Sequence, residues 1–527
     1  MKRWNGWGDM AIDYPLEEPA LDYLEKRVGV GLRLIDSSLS QAIARVPQSQ
    51  IPEHPAIFVE PEARVRHARG QSLPDWIALR AGKPGVVPDG VWYPASPEEV
   101  RTAIEFASNY GISLIPYGGG TSVVGHINPL TSPTLTLDLS HMNLLLELDE
   151  NSRQATFQAG VSGPDLERQL RQHGYTLGHF PQSFEYSTLG GWIATRSSGQ
   201  QSMYYGRIED LFAGGHLETP SGSLDLPAFP ASAAGPDLRQ VLLGSEGHMG
   251  VLTQATVRVR PLPEAEGFYA VFFKDFASGV EAVRRAAQND FQLSMLRLSD
   301  ATETETTFRL AGRDQLIAWA NRGLRLLNYG NERCLLILGV SGGRIETGKR
   351  RDQAIAHFRA HGGLGVGSLI GETWRKSRFL TPYLRNTLWE RGYATDTLET
   401  AVPWRNSVPA WQAIKAALQT EIENLGEKAL IFAHLSHLYQ DGASIYLTYI
   451  FRRAASPEET LERWEKLKMA ASNAIVDQQG TISHHHGIGI DHLPYLSFEK
   501  GLIGISALQS FYRQFDPQGI MNPGKLI

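Results

Sequence analysis

Strand and helix patterns alternate along residues 90–260, and this alternation restricts the fold more than any other feature of the sequence. In "PASPEEVRTAIEFASNYGI", Ser96 is placed as an N-cap, Pro97 at the first helical position and Gly111 as the stop. The apolar run "ISLIP" and the alternating "TLTLDLS" then predict strands. A strand at "RQATFQAG" and a helix at "PDLERQLRQHG" continue the series, so the sequence predicts an α+β unit.

Strand and helix patterns also alternate in the part of the chain that follows. "FYAVFFKDF", "SMLRLSD" and "CLLILGVSG" predict strands, with helical patterns at Gly279–Gln288 and through 314–328 between them. Such alternation favours a second α+β domain packed on the first. We predict four parts: an N-terminal region (1–85) that wraps the others, a first domain (86–263), a second domain (264–480) and a C-terminal segment (481–527).

Composition excludes several classes of protein. The chain has 527 residues, of which 42% are hydrophobic and 20% charged, typical of a globular protein with several packed units. A net charge of −6 argues against nucleic acid as a partner. A single cysteine, Cys334, allows no disulfide framework, and we find neither a signal peptide nor an apolar run of about 18 residues. We therefore expect a cytoplasmic location.

Three adjacent histidines, His484, His485 and His486, precede a glycine turn in "TISHHHGIG". Composition alone would produce such a triplet with an expected number on the order of 0.01. Imidazole titrates near neutrality and suits proton transfer or anion binding. Two alternatives stay open: a metal site formed with His434 and His437, or hydrogen-bonded histidines without a chemical role.

Three loops in the first domain are rich in glycine and hydroxyl side chains. They are "PYGGGTSVVG" (116–125), "PQSFEYSTLGGWIATRSSG" (181–199) and "LGSEGHMGVLTQATV" (243–257). Consecutive glycines let backbone N–H groups approach an anion, although a lone glycine triplet more often marks a tight turn. Three such loops together favour an extended ligand with a diphosphate, whereas neither G-x-G-x-x-G opening a helix nor G-x-x-x-x-G-K-[ST] is present.

These loops, with "YPASPEEV", "YGRIEDL" and the ending "FDPQGIMNPGKLI", resemble the vanillyl-alcohol-oxidase type of flavoenzymes. The motifs "WNGWG", "STLGGWIATRSSG", "LRLSD", "HLSHLYQDGASIY" and "SHHHGIG" narrow the resemblance to the alkyldihydroxyacetonephosphate synthase family over nearly the whole chain. The resemblance implies an α+β fold class: a PCMH-type FAD-binding domain of two α+β subdomains, a second α+β substrate (cap) domain and a helical N-terminal region.

FAD is the cofactor that this resemblance implies. Some members of the superfamily carry FAD covalently on a histidine in the first glycine loop; Thr121 stands at that place, which implies non-covalent FAD. The residues expected to bind the cofactor are Pro116, Tyr117, Gly118, Gly119, Gly120, Thr121, Ser122, Gln182, Ser183, Ser187, Thr188, Thr195, Arg196, Ser197, Ser198, Glu246, Gly247, Gly250 and Val251.

The family's reaction exchanges the acyl group of acyl-dihydroxyacetone phosphate for a fatty alcohol. Residues 429–452 predict a hairpin whose alternation puts Tyr446, Thr448 and Ile450 on one face. By resemblance, Tyr446 moves a proton at the substrate carbon, and we assign proton exchange and orientation to His484, His485 and His486. Arg385 and Arg297 match arginines near the substrate, and a guanidinium fork suits a phosphate.

A second hypothesis is an FAD-linked oxidase or dehydrogenase of a D-2-hydroxy acid or an alcohol. A sister group of such dehydrogenases holds a metal with a glutamate where this chain has His485, and no carboxylate is adjacent in the sequence. We therefore predict no metal.

A third, non-enzymatic hypothesis is a flavin-binding or lipid-carrying protein. The stretch "SSGQQSM" has glutamines where animal synthases have lysines, so fewer local cations are expected. The resemblance is compatible with peripheral membrane contact and with a homodimer.

Overall fold

A computed structural model describes residues 1–310 and 323–527. The predicted helical pattern at 314–328 therefore lies mostly outside the described residues. Within them, three large sheets form the frame of the molecule, and six helices of 13 to 21 residues are the longest. No helix in these two ranges is long and apolar enough to cross a membrane.

The first sheet has four strands. Their order is Ile57–Phe58, Gly90–Trp92, Thr134–Asp138 and Ser113–Tyr117, with the last three parallel. The predicted helix is confirmed as Pro97–Tyr110, 14 residues long: Ser96 accepts from the backbone N–H of Glu99, and Gly111 ends it with a φ of 64°. Other helices in and before this unit are Glu18–Val28, Leu39–Ile43, Pro61–Arg66 and Leu73–Arg80.

The second sheet is antiparallel, with the order Leu145–Asp149, Gln154–Gln158, Val251–Arg258, Phe212–Thr219 and Gly222–Leu226. A short pair, Tyr175–Thr176 and Arg260–Pro261, lies beside it. The predicted strand at "RQATFQAG" and the predicted helix after it are both present. Its helices are Gly163–Arg171, Leu189–Ala194, Ser202–Tyr205, Ile208–Leu211 and Arg239–Leu242.

The third sheet has seven antiparallel strands and forms the second domain. Their order is Leu364–Gly365, Ala265–Phe273, Cys334–Gly342, Met295–Ser299, Ala429–Leu438, Gly442–Arg452 and Tyr393–Pro403. Apolar side chains of its helices pack with one face of the sheet in the largest core cluster. The helices are Phe276–Gln288, Ala301–Leu310, Arg344–Ala360, Leu369–Ser377, Leu384–Glu390, Ser407–Asn424 and Pro457–Asp477.

Both ends of the chain return to the first domain. Near the N-terminus, the Lys2 ammonium donates to the carbonyl of Gly119 in the first glycine loop. After the helix Leu496–Phe515, the Asn522 amide donates to the carbonyls of His126 and Glu246. The terminal segments therefore hold the loops of the first domain against the histidine-bearing segment. The predicted domain boundaries themselves stay predictions.

Candidate active site

The first glycine loop follows the strand Ser113–Tyr117 and packs directly on the second loop. A Cβ atom on Gly119 would stand 1.7 Å from the carbonyl oxygen of Tyr186, and one on Gly118 would stand 2.2 Å from Thr188 Oγ1. The backbone of the first loop at Gly119 therefore approaches the backbone of the second loop at Tyr186 so closely that only glycine is permitted. The triplet also lines a large cavity, so its tight packing and its exposure to a ligand occur together.

The second and third loops continue the wall of the same cavity. Thr188 caps the short helix Leu189–Ala194, and Ser187 Oγ accepts from Trp192 Nε1 at 2.7 Å. Of the predicted cofactor-binding residues, seventeen line this cavity: Pro116, Tyr117, Gly118, Gly119, Gly120, Thr121, Ser122, Gln182, Ser183, Ser187, Thr188, Thr195, Ser197, Ser198, Glu246, Gly247 and Gly250.

Two predicted cofactor residues do not line the cavity. Arg196 has a φ of 52°, and its guanidinium donates to the carbonyls of Leu243 and Gln240, which turns it away. Val251 is fully buried at the start of a central strand. The structure does not bring these two side chains to the cavity, because neighbours in the sequence do not share a side-chain direction, and their role in cofactor binding stays a prediction.

Glu246 joins the cofactor loops to the histidine segment. Its carboxylate accepts from the backbone N–H groups of Ile488 at 2.6 Å and Gly489 at 2.9 Å, and His126 Nε2 lies 3.2 Å away. Burial would raise the pKa of Glu246, but His126 and the backbone donors lower it. An ionised Glu246 therefore fixes the segment after His486 against the first domain.

The three histidines face two different environments. His485 and His486 line the cavity, whereas His484 lies behind its wall with Nε2 at 2.6 Å from the hydroxyl of Tyr439. The His484 backbone N–H donates to the carbonyl of Glu399, so the segment runs beside the strand Tyr393–Pro403. Burial lowers the pKa of His484 to about 4, so this imidazole is neutral at pH 7.

Glu399 is the residue that sequence reasoning missed. Its side chain is fully buried, with Oε2 at 2.5 Å from His485 Nδ1 and Oε1 at 3.3 Å from His484 Nδ1. Burial alone would raise the pKa of Glu399, but the two imidazoles hold it well below its usual range. A carboxylate is thus adjacent to the histidines in space, although none is adjacent in the sequence.

The described residues contain one group that could hold a metal ion: Glu399, His437, His484 and His485, whose ligand atoms lie within 4.8 Å of one another. His434, which the sequence interpretation placed in such a site, instead lies 3.0 Å from Glu303 Oε1. The Glu399 oxygens contact both imidazoles of this group directly. The expected absence of a metal stays a prediction.

Tyr446 stands in a row across neighbouring strands. Register pairs Ser299 with His434, His434 with Tyr446, and Tyr446 with Glu399, and paired side chains share one face of the sheet. The predicted hairpin is confirmed, and Tyr446, Thr448 and Ile450 all line the cavity. The Tyr446 ring stacks on His434 with centroids 5.0 Å apart.

The protonation states of this pair follow from burial. Burial raises the pKa of Tyr446 to about 12, so the resting side chain is a neutral phenol. The His486 ring centroid lies 5.8 Å from that of Tyr446, and burial lowers the pKa of His486 well below its usual range. A protonated phenol and an unprotonated imidazole therefore lie side by side on the cavity wall.

The two predicted substrate arginines differ in their partners. Arg385 lines the cavity, lies 4.4 Å above Trp76 and donates to the carbonyl of Gln71, but has no carboxylate within salt-bridge distance among the described residues. Arg297 also lines the cavity, yet it forms a salt bridge of 2.8 Å with Glu303. Arg385 therefore has no salt-bridge partner among the described residues, and Arg297 has one.

The structure thus places a glycine-rich cofactor cradle and a tyrosine, histidine and arginine cluster in one cavity between two α+β domains. The matched family models are an FAD binding domain over residues 88–225 and the C-terminal domain of FAD linked oxidases over 262–526. Fold, cradle and models together define an FAD-dependent enzyme. The backbone cradle, closed to any Cβ at Gly118 and Gly119, fits this cofactor.

Individual relatives narrow the class. An alkyldihydroxyacetonephosphate synthase of Dictyostelium discoideum is 34% identical over 475 residues, covering 88% of this chain and 77% of the relative. The synthase of Trypanosoma brucei brucei is 28% identical over 100% of this chain and 92% of its own length. A solved alkyldihydroxyacetonephosphate synthase structure matches with a TM-score of 0.85 and 28% identity over 100% of this chain and 99% of its own. The chain belongs to the alkyldihydroxyacetonephosphate synthase family.

Proposed function

We propose that the protein exchanges the acyl group of acyl-dihydroxyacetone phosphate for a fatty alcohol, as in ether-lipid synthesis. One observation carries the proposal: the FAD cradle shares its cavity with Tyr446, His485, His486 and Arg385. The family membership supports it, since the relatives named above are alkyldihydroxyacetonephosphate synthases. Small-molecule substrates of this kind require both a proton acceptor and an anion site.

Each side chain has an assigned part. Bound FAD supplies an electron sink at the reacting carbon. Tyr446 takes the substrate proton as a phenolate, a form that requires prior loss of the phenolic proton to solvent because burial raises the pKa of Tyr446 to about 12. The positive charge of Arg385 favours that phenolate, and the same guanidinium binds the phosphate of the substrate.

The other two histidines of the triplet, His484 and His485, have the roles of orientation and proton exchange. Glu399 fixes the Nδ1 side of His485, so that the other side of the ring meets the cavity. His484 holds its place between Tyr439 and Glu399 and does not line the cavity. His485 therefore exchanges protons with the substrate, and His484 positions it.

A second candidate is an FAD-linked oxidation of a D-2-hydroxy acid or an alcohol. It is supported by the family model of FAD linked oxidases over residues 262–526. A buried neutral His486 would suit removal of a hydroxyl proton equally well. The two functions differ in net redox change, because only the oxidation leaves the flavin reduced.

The test is an anaerobic titration of the purified, FAD-loaded protein, followed by its flavin spectrum. We expect bleaching on addition of acyl-dihydroxyacetone phosphate and recovery of the oxidised spectrum on addition of fatty alcohol, without an electron acceptor. Tyr446→Phe should block the bleaching, whereas the matched Tyr269→Phe, outside the cavity lining, should not. Lasting reduction by a D-2-hydroxy acid and no response to the ester would establish the second candidate instead.

Three further expectations stay predictions: a cytoplasmic location, peripheral membrane contact and a homodimer. The first is supported by Cys334, a free thiol buried in the second domain, whose pKa is raised by burial. Such a thiol neither forms a disulfide nor reacts readily, which suits a reducing compartment.

A further inference from the structure

A third arginine, Arg378, lines the cavity beside Arg297 and Arg385. It lies just after the helix Leu369–Ser377, in the second domain. No lysine lines this cavity among the described residues, so these three guanidiniums are its cations there. Since Glu303 already neutralises Arg297, two arginines are left to hold an anion.

The surroundings of Arg378 leave it without a salt bridge among the described residues. Its Nη1 donates to Gln201 Oε1 at 3.2 Å, and the Gln201 amide nitrogen in turn donates to Glu266 at 2.7 Å. A neutral amide therefore stands between the guanidinium and Glu266, and no described carboxylate lies within salt-bridge distance of Arg378. Burial lowers the pKa of Arg378 to about 10, so it is still a cation at neutral pH.

Aromatic rings and glutamines fix the guanidinium in place. It lies 4.8 Å from the ring centroid of Phe379 and 5.2 Å from that of Phe180. Gln182 donates to the Arg378 carbonyl and accepts from Gln200. A guanidinium carries five N–H donors, and one side-chain hydrogen bond leaves most of them for a ligand. Burying such a charge is costly unless an anion completes the site.

We propose that Arg378 is an anion-binding residue of the substrate site and that, with Arg385, it holds the phosphate group of the substrate. This inference rests on the proposed function. Two guanidiniums match the two negative charges and the several oxygens of a phosphate monoester. Arg378 also brings a cation from the second domain to Gln201, in the stretch where the sequence predicted few cations.

The experiment compares Arg378→Gln with the control Lys376→Gln, which removes one charge two residues away at an exposed position outside the cavity lining. Binding of acyl-dihydroxyacetone phosphate and of its phosphate-free analogue is titrated on the flavin spectrum of the full, FAD-loaded chain. We expect Arg378→Gln to weaken binding of the phosphate ester about tenfold or more. Binding of the analogue and the FAD content should not change, and Arg378→Lys should recover part of the affinity.

Two results would overturn the inference: unchanged affinity of Arg378→Gln for the phosphate ester, or loss of FAD in Arg378→Gln but not in Lys376→Gln. The second result would assign the arginine to the cofactor. Failure of the proposed function has a different signature, because the wild-type protein itself would then not respond to the ester. In that case D-lactate is the probe: weaker binding to Arg378→Gln supports the anion site, and equal binding overturns it.

Discussion

Replacement of Glu399 by glutamine tests whether this buried carboxylate positions the histidines for proton exchange. The substitution keeps the shape of the side chain and removes its negative charge. Glu399 has no exposed side-chain surface and does not line the cavity, but His485, 2.5 Å from its Oε2, does. The variant therefore changes the partner of His485 without touching the substrate directly.

The size of the effect follows from that contact. A hydrogen bond to a charged group contributes about 1.5–3 kcal/mol. If the carboxylate acts on the transition state through His485, kcat falls by a factor of about 10 to 150. The KM should change little, because cavity contacts are intact. In the wild type, the imidazole nitrogen faces a carboxylate oxygen, which is a hydrogen-bond acceptor. In Glu399→Gln the side-chain NH₂ group, a donor, can take the place of that oxygen. Glu399→Asp keeps the acceptor and should therefore retain more activity than Glu399→Gln.

The assay is steady-state formation of the ether product, with FAD content measured in parallel. Glu218→Gln is the matched control: it removes another buried carboxylate with a histidine partner, His216, outside the cavity lining. It should lower stability and leave kcat unchanged. Wild-type kcat in an FAD-loaded Glu399→Gln protein would falsify the positioning role.

Three other predictions follow from the geometry. Gly119→Ala should abolish FAD retention, because its Cβ would stand 1.7 Å from a backbone oxygen. Gly348→Ala is the control, since a Cβ there would have no atom within 4 Å. The FAD content of both variants is measured by absorbance at the flavin band. Burial lowers the pKa of His484 from 6.5 to about 4, so its stability contribution is complete above about pH 6.5 and lost as the pH falls to 4. The loss due to His484 is about 3 kcal/mol, to be measured as the difference between wild type and His484→Gln in urea unfolding at pH 7.5 and 4.5, because other buried histidines such as His179 and His492 titrate over the same range; an equal pH dependence of the two proteins would contradict it. Dialysis against a chelator should leave activity unchanged, and stoichiometric metal in the active protein would contradict the predicted absence of a metal.

Local features were predictable from the sequence by itself. Ser96 and Gly111 bound their helix because a cap and a left-handed residue act within one turn. Alternation in the hairpin predicted that Tyr446, Thr448 and Ile450 share one face, since side chains of a strand alternate with period two, and in the structure that face lines the cavity. The glycine loops indicated the cradle because close approach of the backbone to a ligand depends on the absence of a Cβ, which is a property of each single residue.

Only the tertiary structure decided which charges meet. Glu399 and His485 are far apart in the chain, and they meet because strand register puts Glu399 opposite Tyr446 while the histidine segment runs alongside. Domain packing likewise brought Arg378 to Gln201, a residue of the first domain, and left it without a carboxylate partner. Such pairings are set by contacts between distant segments, and no local pattern of residues encodes them.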